Sequence, residues 1–288
     1  MLEHTLETPA LPARVVVMGG RGFVGSHVVQ RLRASGGEVR VLGSDRVDLL
    51  GPNGAAALAE ELRPEDALVF VSAIAPCRDA AGMVKNMTMT AAVVEALQQA
   101  PVAHLVNVSS DAVYADDANP VTESSCASPS SPHGAMHLAR EVLLKTGVKG
   151  CPIAVVRPSL LYGAADPHNG YGPNRFRRQA EKSETITLFG EGEEQRDHVF
   201  IEDVARLIEL TLTHRSRGVL NIATGESASF RSVAETVVGI AGQGDVKGTP
   251  RQNPITHRHF DTTACLKAFP EFAYTALGEG LRRAAGQA

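Results

Sequence analysis

Short runs of apolar and β-branched residues alternate with segments of helical periodicity along the first half of the chain. Strands are predicted at residues 14–18, 38–42, 67–71, 103–109 and 153–157, and helices at 27–34, 55–62, 87–99 and from 130–141 onward. Strand–helix alternation at this spacing is typical of a parallel sheet with right-handed crossovers. The pattern therefore predicts an α/β fold with a doubly wound parallel sheet.

The regular alternation stops after Pro158. Residues 162–176 are rich in Gly, Pro, Asn and His and are predicted to form a loop that covers a site. A helix (201–213), a strand (219–223) and a further helix (230–241) are predicted beyond it. We expect a first domain at residues 1–157 and a small interleaved C-terminal substrate domain at 158–288, with parts such as 198–223 returning to the first domain.

One predicted helix carries two histidines at its start, in the stretch SSPHGAMHLARE (130–141). The apolar residues that recur at the helical period, and predict its buried stripe, are Ala135, Leu138, Ala139, Val142 and Leu143. His133, His137 and Glu141 then fall on a neighbouring face, one turn apart. Acid–base chemistry, a metal site and a solvated surface are all open from this spacing.

A glycine loop lies between the first predicted strand and the helix after it. In VVVMGGRGFVGSHVVQRL, Gly19, Gly22 and Gly25 stand three residues apart. A tight turn, a close backbone approach to a pyrophosphate and a free helix N-terminus all need this arrangement. The loop predicts a dinucleotide-binding Rossmann domain.

The end of the second strand, VLGSDRVDLL, leaves the cofactor open between NAD and NADP. Asp45 suits a ribose 2′-hydroxyl, whereas Ser44 and Arg46 suit a 2′-phosphate.

The composition of the chain limits the kinds of molecule that it is expected to bind. A formal net charge of -4 gives no basic field for nucleic acid or an anionic membrane. The first residues, MLEHTLETPALPAR, lack an apolar signal core, and no later apolar run is long enough for a membrane span. The 4 cysteines stand far apart and are interpreted as reduced thiols of a cytoplasmic protein. We expect a small-molecule substrate.

With these motifs in hand, the chain resembles the extended short-chain dehydrogenase/reductase family, in its NAD-dependent epimerase/dehydratase group. The resemblance runs from about Arg14 to Gly280 and includes MGGRGFVG, VNVSSDAVYADDANPVTESS, VVRPSLLYG, GEGEEQRDHVFIEDVARLI and GVLNIATGESASF. It implies a catalytic serine at Ser110, an adenine contact at Asp48-Leu49 and a structural asparagine at Asn86. It also implies NAD or NADP as cofactor and a homodimer formed through a helix pair.

The cofactor-binding positions implied together by the loop and the resemblance are Gly19, Gly20, Arg21, Gly22, Phe23, Val24, Gly25, Ser44, Asp45, Arg46, Asp48, Leu49, Ser72, Ala73, Asn86 and Pro158.

The chain departs from the family pattern where the catalytic Tyr-x-x-x-Lys is expected, because it has His133 and His137 there. A phenol with a pKa of about 10 needs its pKa lowered by ~3, or roughly 4 kcal/mol, to exchange protons near neutrality. An imidazole begins near ~6.5 and needs no such help, so the reason for a neighbouring lysine disappears with the tyrosine. Our hypothesis is that His133 is the general acid/base. His137 then binds the nicotinamide ribose or orients His133, and Ser110 binds the reacting substrate oxygen.

Two other interpretations stay open for this pair. The chain can be a non-catalytic NAD(P)-binding sensor or a partner protein of an active relative. A metal-assisted lyase with His133, His137 and Glu141 as ligands is the third, although a ligand at i+8 rarely reaches the same ion. Asp111 follows Ser110 where dehydratases of the family have an acid, but Ala112 stands where those enzymes have a glutamate.

The candidate substrate contacts are Tyr114, His168, Asn169, Asn174, Arg175, Arg196 and Arg258. Arg196 matches the position that holds a nucleotide-sugar phosphate in the family, and a guanidinium suits that role through paired hydrogen bonds. Arg258 is a second candidate clamp for a phosphate or carboxylate. The resemblance implies an NAD(P)-dependent epimerase or reductase acting on a sugar-like hydroxyl or carbonyl, either a nucleotide sugar or a smaller acceptor.

Overall fold

The computed structural model of this chain describes residues 2–116, 119–252 and 254–287. Its strands are β1 (Val15–Met18), β2 (Val39–Leu42), β3 (Ala67–Phe70), β4 (His104–Val108), β5 (Ile153–Pro158), β6 (Leu160–Tyr162), β7 (Ile186–Phe189), β8 (Gln195–Phe200), β9 (Gly218–Ile222), β10 (Ser227–Ser229) and β11 (Val246–Thr249). Its helices are α1 (Phe23–Ala34), α2 (Gly54–Glu61), α3 (Ala80–Gln99), α4 (Pro132–Gly147), α5 (Pro173–Glu181), α6 (Ile201–Thr213), α7 (Phe230–Ala241), α8 (Thr263–Ala268) and α9 (Leu277–Ala284). A 3-10 turn spans Asp111–Val113.

A six-stranded parallel sheet forms the centre, in the order β2-β1-β3-β4-β5-β9. Helices α1 and α6 bury apolar residues against one face, and α2, α3 and α4 bury theirs against the other. The unbroken apolar runs of β1 and β3 follow from this arrangement, since both faces of their strands are covered. The predicted doubly wound α/β sheet is confirmed. The strand order reverses between β1 and β3, where sheets of this kind bind ligands at the carboxyl ends of the strands.

Two small sheets lie outside the central one, in the orders β10-β8-β6 and β11-β7. Their elements and α5, α7 and α9 enclose a separate apolar cluster that contains Phe176, Phe200 and Phe230. The sequence pattern did not predict these strands. Four of them, β6, β7, β10 and β11, have three or four residues and carry too little alternation to be recognised.

The prediction of a loop over residues 162–176 is wrong at both ends. Strand β6 extends to Tyr162 and α5 begins at Pro173, so only 163–172 lacks regular structure. Proline suits the first position of a helix, since it has no N–H to leave unpaired there. Asn174, in the first turn of α5, accepts a hydrogen bond from the Gly163 N–H at 3.0 Å and so closes the loop on itself.

The predicted buried stripe of α4 is also wrong. Val142 and Leu143 are 51% and 38% exposed. The buried residues of this helix are Gly134, Met136, His137, Arg140, Glu141 and Leu144. A helix can turn polar residues inward where partners from other elements bind them, and Ser109, directly after β4, and Arg157 of β5 are such partners here.

Among the residues that the structure describes, no helix combines the length and the apolar character that crossing a membrane requires.

Candidate active site

The glycine loop packs against the turn that follows β3. Gly19 has a φ of +89°, and a Cβ added to it would lie 2.7 Å from the Ser72 nitrogen. A Cβ on Gly25 would lie 2.2 Å from the Gly19 oxygen. Glycine at both positions therefore lets α1 begin directly against the loop. The N-cap of α1, Gly22, supplies no side-chain hydrogen bond and the first turn has no acidic residue. The N–H groups and the positive end of the helix dipole are therefore suited to an anion.

We expect Gly25→Ala to lower the affinity for a nicotinamide dinucleotide by at least ten-fold, because the new methyl group must displace the Gly19 carbonyl and reshape the loop. Isothermal titration calorimetry with NAD and NADP measures this change. Gly239→Ala is the matched control: Gly239 lies in α7, its φ is not positive, and a Cβ there meets nothing within 4 Å. Unchanged affinity in Gly25→Ala would remove the loop from the cofactor site.

Other predicted cofactor positions on α1 and β5 already pack inside the protein. A Cβ added to Gly163 would lie 3.2 Å from the Phe23 ring, so this ring already packs against Gly163. Val24 packs between two apolar clusters. Gly20 stands close to Val41, and Pro158 is buried at the end of β5. A phosphate contact by Phe23 or Val24 therefore has to use the backbone N–H.

The end of β2 carries charges of both signs near the glycine loop. Arg21 Nη2 donates to Asp45 Oδ2 at 2.8 Å, and both side chains are more than half exposed. Arg46 Nε donates to Glu61 on α2 at 2.5 Å, and Ser44 is exposed. Each arginine thus already has a carboxylate partner. This geometry leaves NAD and NADP equally open.

The predicted adenine and loop contacts have separate surroundings. Asp48 Oδ1 accepts from the Leu50 N–H at 3.0 Å, and the Leu49 side chain is buried in the apolar layer under α2. Buried Asn86 binds both the N–H and the carbonyl of Ile74, at 2.9 and 3.1 Å. It thereby fastens the turn that contains Ser72 and Ala73 to α3. This contact agrees with the structural role expected for Asn86.

Helix α4 begins against the turn that carries Ser110. Ser110 Oγ accepts from the Ala112 N–H at 3.1 Å and caps this turn. Ser131 Oγ accepts from the Gly134 N–H at 3.2 Å and caps α4. A Cβ on Gly134 would lie 1.9 Å from the Ala112 oxygen, so only glycine allows this close approach. The first turn of α4, with His133 in it, consequently packs on the Ser110 turn.

The two histidines contact each other edge to face, with 4.7 Å between ring centres and planes at 90°. His133 Nδ1 accepts from the Cys77 N–H at 3.4 Å, a long hydrogen bond, so a neutral ring in this contact carries its proton on Nε2. Burial, then the charges of Arg140 and His168, lower the pKa of His133. Burial, Arg140 and His133 lower the pKa of His137 further. Both rings are therefore neutral at neutral pH.

A second charged cluster surrounds Asp111. Arg258 donates to the carbonyl oxygens of Asp111 and Ala115 at 2.9 and 3.1 Å, and its Nη1 lies 3.7 Å from Asp111 Oδ2. Burial raises the pKa of Asp111 to about 6 against the opposing charge of Arg258. Arg196 binds Glu194 and the carbonyl of Thr256, and its charge also acts on Asp111. Of the two predicted arginines, Arg258 thus contacts Asp111 directly, and Arg196 acts on it only through its charge.

The remaining predicted substrate residues divide into exposed and buried ones. His168 and Asn169 are exposed in the 163–172 loop, and Arg175 lines a surface groove with Asn169. Buried Asn174 is used inside the loop, where it also donates to Asp166 at 2.9 Å. Tyr114 is 1% exposed, and its hydroxyl lies in a buried hydrogen-bond network, so the structure gives it a packing role.

Glu141 points away from the histidines into a buried ion pair. Its carboxylate accepts from Arg157 at 2.6 and 2.9 Å and from Ser109 Oγ at 2.6 Å. The metal hypothesis therefore loses its third ligand. Elsewhere in the described ranges, no three His, Cys, Asp or Glu side chains come together as ligands.

Three residues near the histidines were missed in the sequence: Cys77, Arg140 and Arg157. An arginine at the end of a predicted buried strand, as in VVRPS, is a signal for a buried partner and could have revealed Arg157. Cys77 gave no signal, because its contact with His133 uses a backbone N–H.

The sequence model of the NAD dependent epimerase/dehydratase family matches residues 15–223, more than half of the chain. This protein therefore belongs to the NAD dependent epimerase/dehydratase family. The UDP-glucose 4-epimerase of Mycolicibacterium smegmatis is 26% identical, over 94% of this chain and 96% of that relative.

Solved structures of similar proteins have the same fold as this chain. The UDP-glucose 4-epimerase of Thermus thermophilus in complex with NAD has a TM-score of 0.82 and 26% identity, covering 95% of this chain and 98% of that one. A GDP-L-fucose synthetase from Naegleria fowleri has a TM-score of 0.86 at 17% identity, covering 99% and 97%, which shows a shared fold. At the level of the family, the predicted NAD(P)-dependent enzyme class is confirmed.

Proposed function

We propose that this protein is an NAD(P)-dependent epimerase or reductase of a sugar-like substrate, and that His133 is its general acid/base. The observation that carries the proposal is the packing of the first α4 turn on the Ser110 turn, which brings His133 next to the serine that the resemblance implies is catalytic. A neutral imidazole there can take a proton from a hydroxyl at ordinary pH without a neighbouring lysine.

The residues present fit a nicotinamide dinucleotide. Gly19 and Gly25 leave space that a Cβ would fill, and the N-terminus of α1 offers N–H groups for a pyrophosphate. When bound, the dinucleotide supplies the hydride acceptor or donor. The NAD complex of the related Thermus thermophilus epimerase supports this assignment for the present chain.

The chain's own residues divide the chemistry between them. Ser110 Oγ hydrogen-bonds the substrate oxygen that changes oxidation state. His133 accepts the proton of a hydroxyl at Nδ1, which requires the long hydrogen bond from the Cys77 N–H to break, and the cation so formed returns the proton. His137 hydrogen-bonds the nicotinamide ribose as a neutral imidazole. Asp111 stands beside Ser110 as a second group that can hold a proton near neutrality.

The substrate is a nucleotide sugar or a smaller sugar-like carbonyl compound. Arg196 and Arg258 gather beside Asp111 and suit a phosphate or a carboxylate. Several similar proteins act on nucleotide sugars, among them the Mycolicibacterium smegmatis UDP-glucose 4-epimerase. We further propose that residues 1–157 bind the cofactor and residues 158–288 bind the substrate, with 198–223 returning to the first domain.

A homodimer and a cytoplasmic location complete the proposal. Helices α3 and α4 pack side by side and expose Val84, Val142 and Leu143, which supports pairing through these helices. The four cysteines are free thiols, as expected in a reducing compartment.

The second candidate is a non-catalytic NAD(P)-binding protein. It is supported by the histidines at 133 and 137, where the resemblance implies the family's Tyr-x-x-x-Lys pair, and by the burial of His137, which is only 6% exposed.

Hydride transfer separates the two candidates. We expect the purified protein to bind NAD or NADP and to change the near-ultraviolet absorbance of the nicotinamide when UDP-sugars, free sugars or sugar acids are added singly. Product analysis by NMR reports epimers that form without net oxidation. Binding of the dinucleotide with no conversion of any of these compounds would favour the non-catalytic candidate, and absence of binding would contradict both.

A further inference from the structure

Arg140 is a buried cation with few partners. It is 1% exposed, and its Cζ lies 4.3 Å from the centre of the Phe70 ring. Its Nη2 donates to Asn107 Oδ1 at a long 3.4 Å. In the described part of the chain, Nε and Nη1 have no hydrogen-bond partner and no carboxylate pairs with the guanidinium. A guanidinium is normally buried only with an anion, so this arrangement calls for an explanation.

The position of Arg140 on α4 links it to the histidines. It follows His137 by three residues and His133 by seven, so the three side chains occupy one inward-facing stripe of the helix. The family's lysine would stand at position 137. This chain has an imidazole at position 137, and the cation Arg140 stands one turn further along the same stripe.

The other charged groups around this stripe are paired with each other. Glu141 on the same helix is neutralised by Arg157 of β5 and by Lys145. Asp111, in the turn packed against the start of α4, lies beside Arg258. Cys77 contributes its backbone N–H from the turn after β3, and His168 approaches from the 163–172 loop. Within residues 2–116, 119–252 and 254–287, the charge of Arg140 thus has no carboxylate partner, and it acts on both imidazoles.

We propose that Arg140 supplies, from within the core, a positive charge beside His133 and His137 that positions them electrostatically as neutral imidazoles. The proposal rests on the acid/base function of His133. Arg140 touches neither substrate nor cofactor, since it is buried behind Phe70 and Asn107. The lysine of the family favours a deprotonated phenol, and a cation beside an imidazole likewise favours its deprotonated form.

The pKa shifts agree in direction. After burial, Arg140 is the largest cause that lowers the pKa of His133 and of His137. Burial lowers the pKa of Arg140 itself to about 10, which leaves it charged at neutral pH.

Three variants test the proposal in the intact protein. Arg140→Met removes the charge, Arg140→Lys keeps it, and the isosteric Asn107→Asp gives the guanidinium a carboxylate partner without changing the size of the core. NMR titration of the imidazole Hε1 signals, without cofactor or substrate, measures the protonation of His133 and His137. The signal of His4, at the other end of the molecule beside Ser216, is the internal reference.

We expect the His133 midpoint to move to higher pH by about one pH unit in Arg140→Met and in Asn107→Asp, and to stay in Arg140→Lys. The acid limb of the kcat/KM profile should move by the same amount and in the same direction. A His133 midpoint that stays in folded Arg140→Met overturns the proposal. If that variant does not fold, an unmoved midpoint in Asn107→Asp overturns it. A midpoint that moves in a protein that turns over no substrate supports the role of Arg140 and contradicts the catalytic role of His133.

Discussion

Replacing His133 with alanine is expected to lower kcat/KM by about 10²–10⁴, the usual contribution of a positioned acid/base group. The affinity for the dinucleotide should change little, because the ring contacts the Cys77 N–H and His137 and not the glycine loop. Steady-state kinetics on the substrate that responds in the hydride-transfer assay, with calorimetric titration of the cofactor, measures the two effects separately.

Two further variants make this result specific. The double change His133→Tyr with His137→Lys introduces the Tyr-x-x-x-Lys pair that the resemblance implies for the family, and under the proposed function it should recover part of the lost turnover. His4→Ala is the matched control, since His4 hydrogen-bonds Ser216 and the carbonyl of Ala268 far from the glycine loop. Turnover in His133→Ala equal to that of the natural protein would exclude the ring from proton transfer.

Replacing Glu141 with glutamine is expected to destabilise the fold by about 3–5 kcal/mol, the usual cost of leaving one partner of a buried ion pair uncompensated. The carboxylate is 1% exposed and faces the Arg157 guanidinium, which itself is 5% exposed. Arg157 also donates to the Tyr114 hydroxyl at 2.8 Å, so the loss spreads into the network under β5 and β9. Urea unfolding followed by circular dichroism gives the free energy of unfolding.

A double change distinguishes the contribution of the ion pair to stability from the contribution of side-chain packing. Glu141→Leu with Arg157→Met should be less destabilised than either single change, because no lone charge stays buried. Glu60→Gln, at an exposed position of α2, is the control and should stay within about 0.5 kcal/mol. A Glu141→Gln protein as stable as that control would contradict the structural role.

The pH dependence of this contribution has a defined sign. Burial acts to raise the pKa of Glu141, but the hydrogen bonds and charge of Arg157 outweigh it and hold the pKa below its ordinary value. The pair therefore stabilises the fold fully above the ordinary pKa of a glutamate, and the stabilisation is lost as pH falls through the lowered value.

Local sequence patterns were enough to predict the strands of the central sheet and several of the helices. The apolar runs of β1, β3 and β4 predicted buried parallel strands, and the bounds of α6 and α7 were predicted as the structure has them. The glycine loop was recognisable because its requirements, a positive φ and a missing Cβ, belong to single residues. Asp79, which caps α3 through the Gly82 N–H at 2.7 Å, shows the limit, since α3 begins there and not at residue 87 as predicted.

By itself, then, the sequence determined the doubly wound sheet and the position of the glycine loop, and the two histidines at 133 and 137 as candidates for the family's tyrosine and lysine positions. Only the tertiary structure decided which face of α4 is buried, and hence that Glu141 pairs with Arg157 while Arg140 stands behind the histidines. The physical reason is that the helical repeat alone does not tell which face of a helix packs against the sheet. Whether a charged side chain can be buried depends on partners from strands far away along the chain, and no local pattern records them.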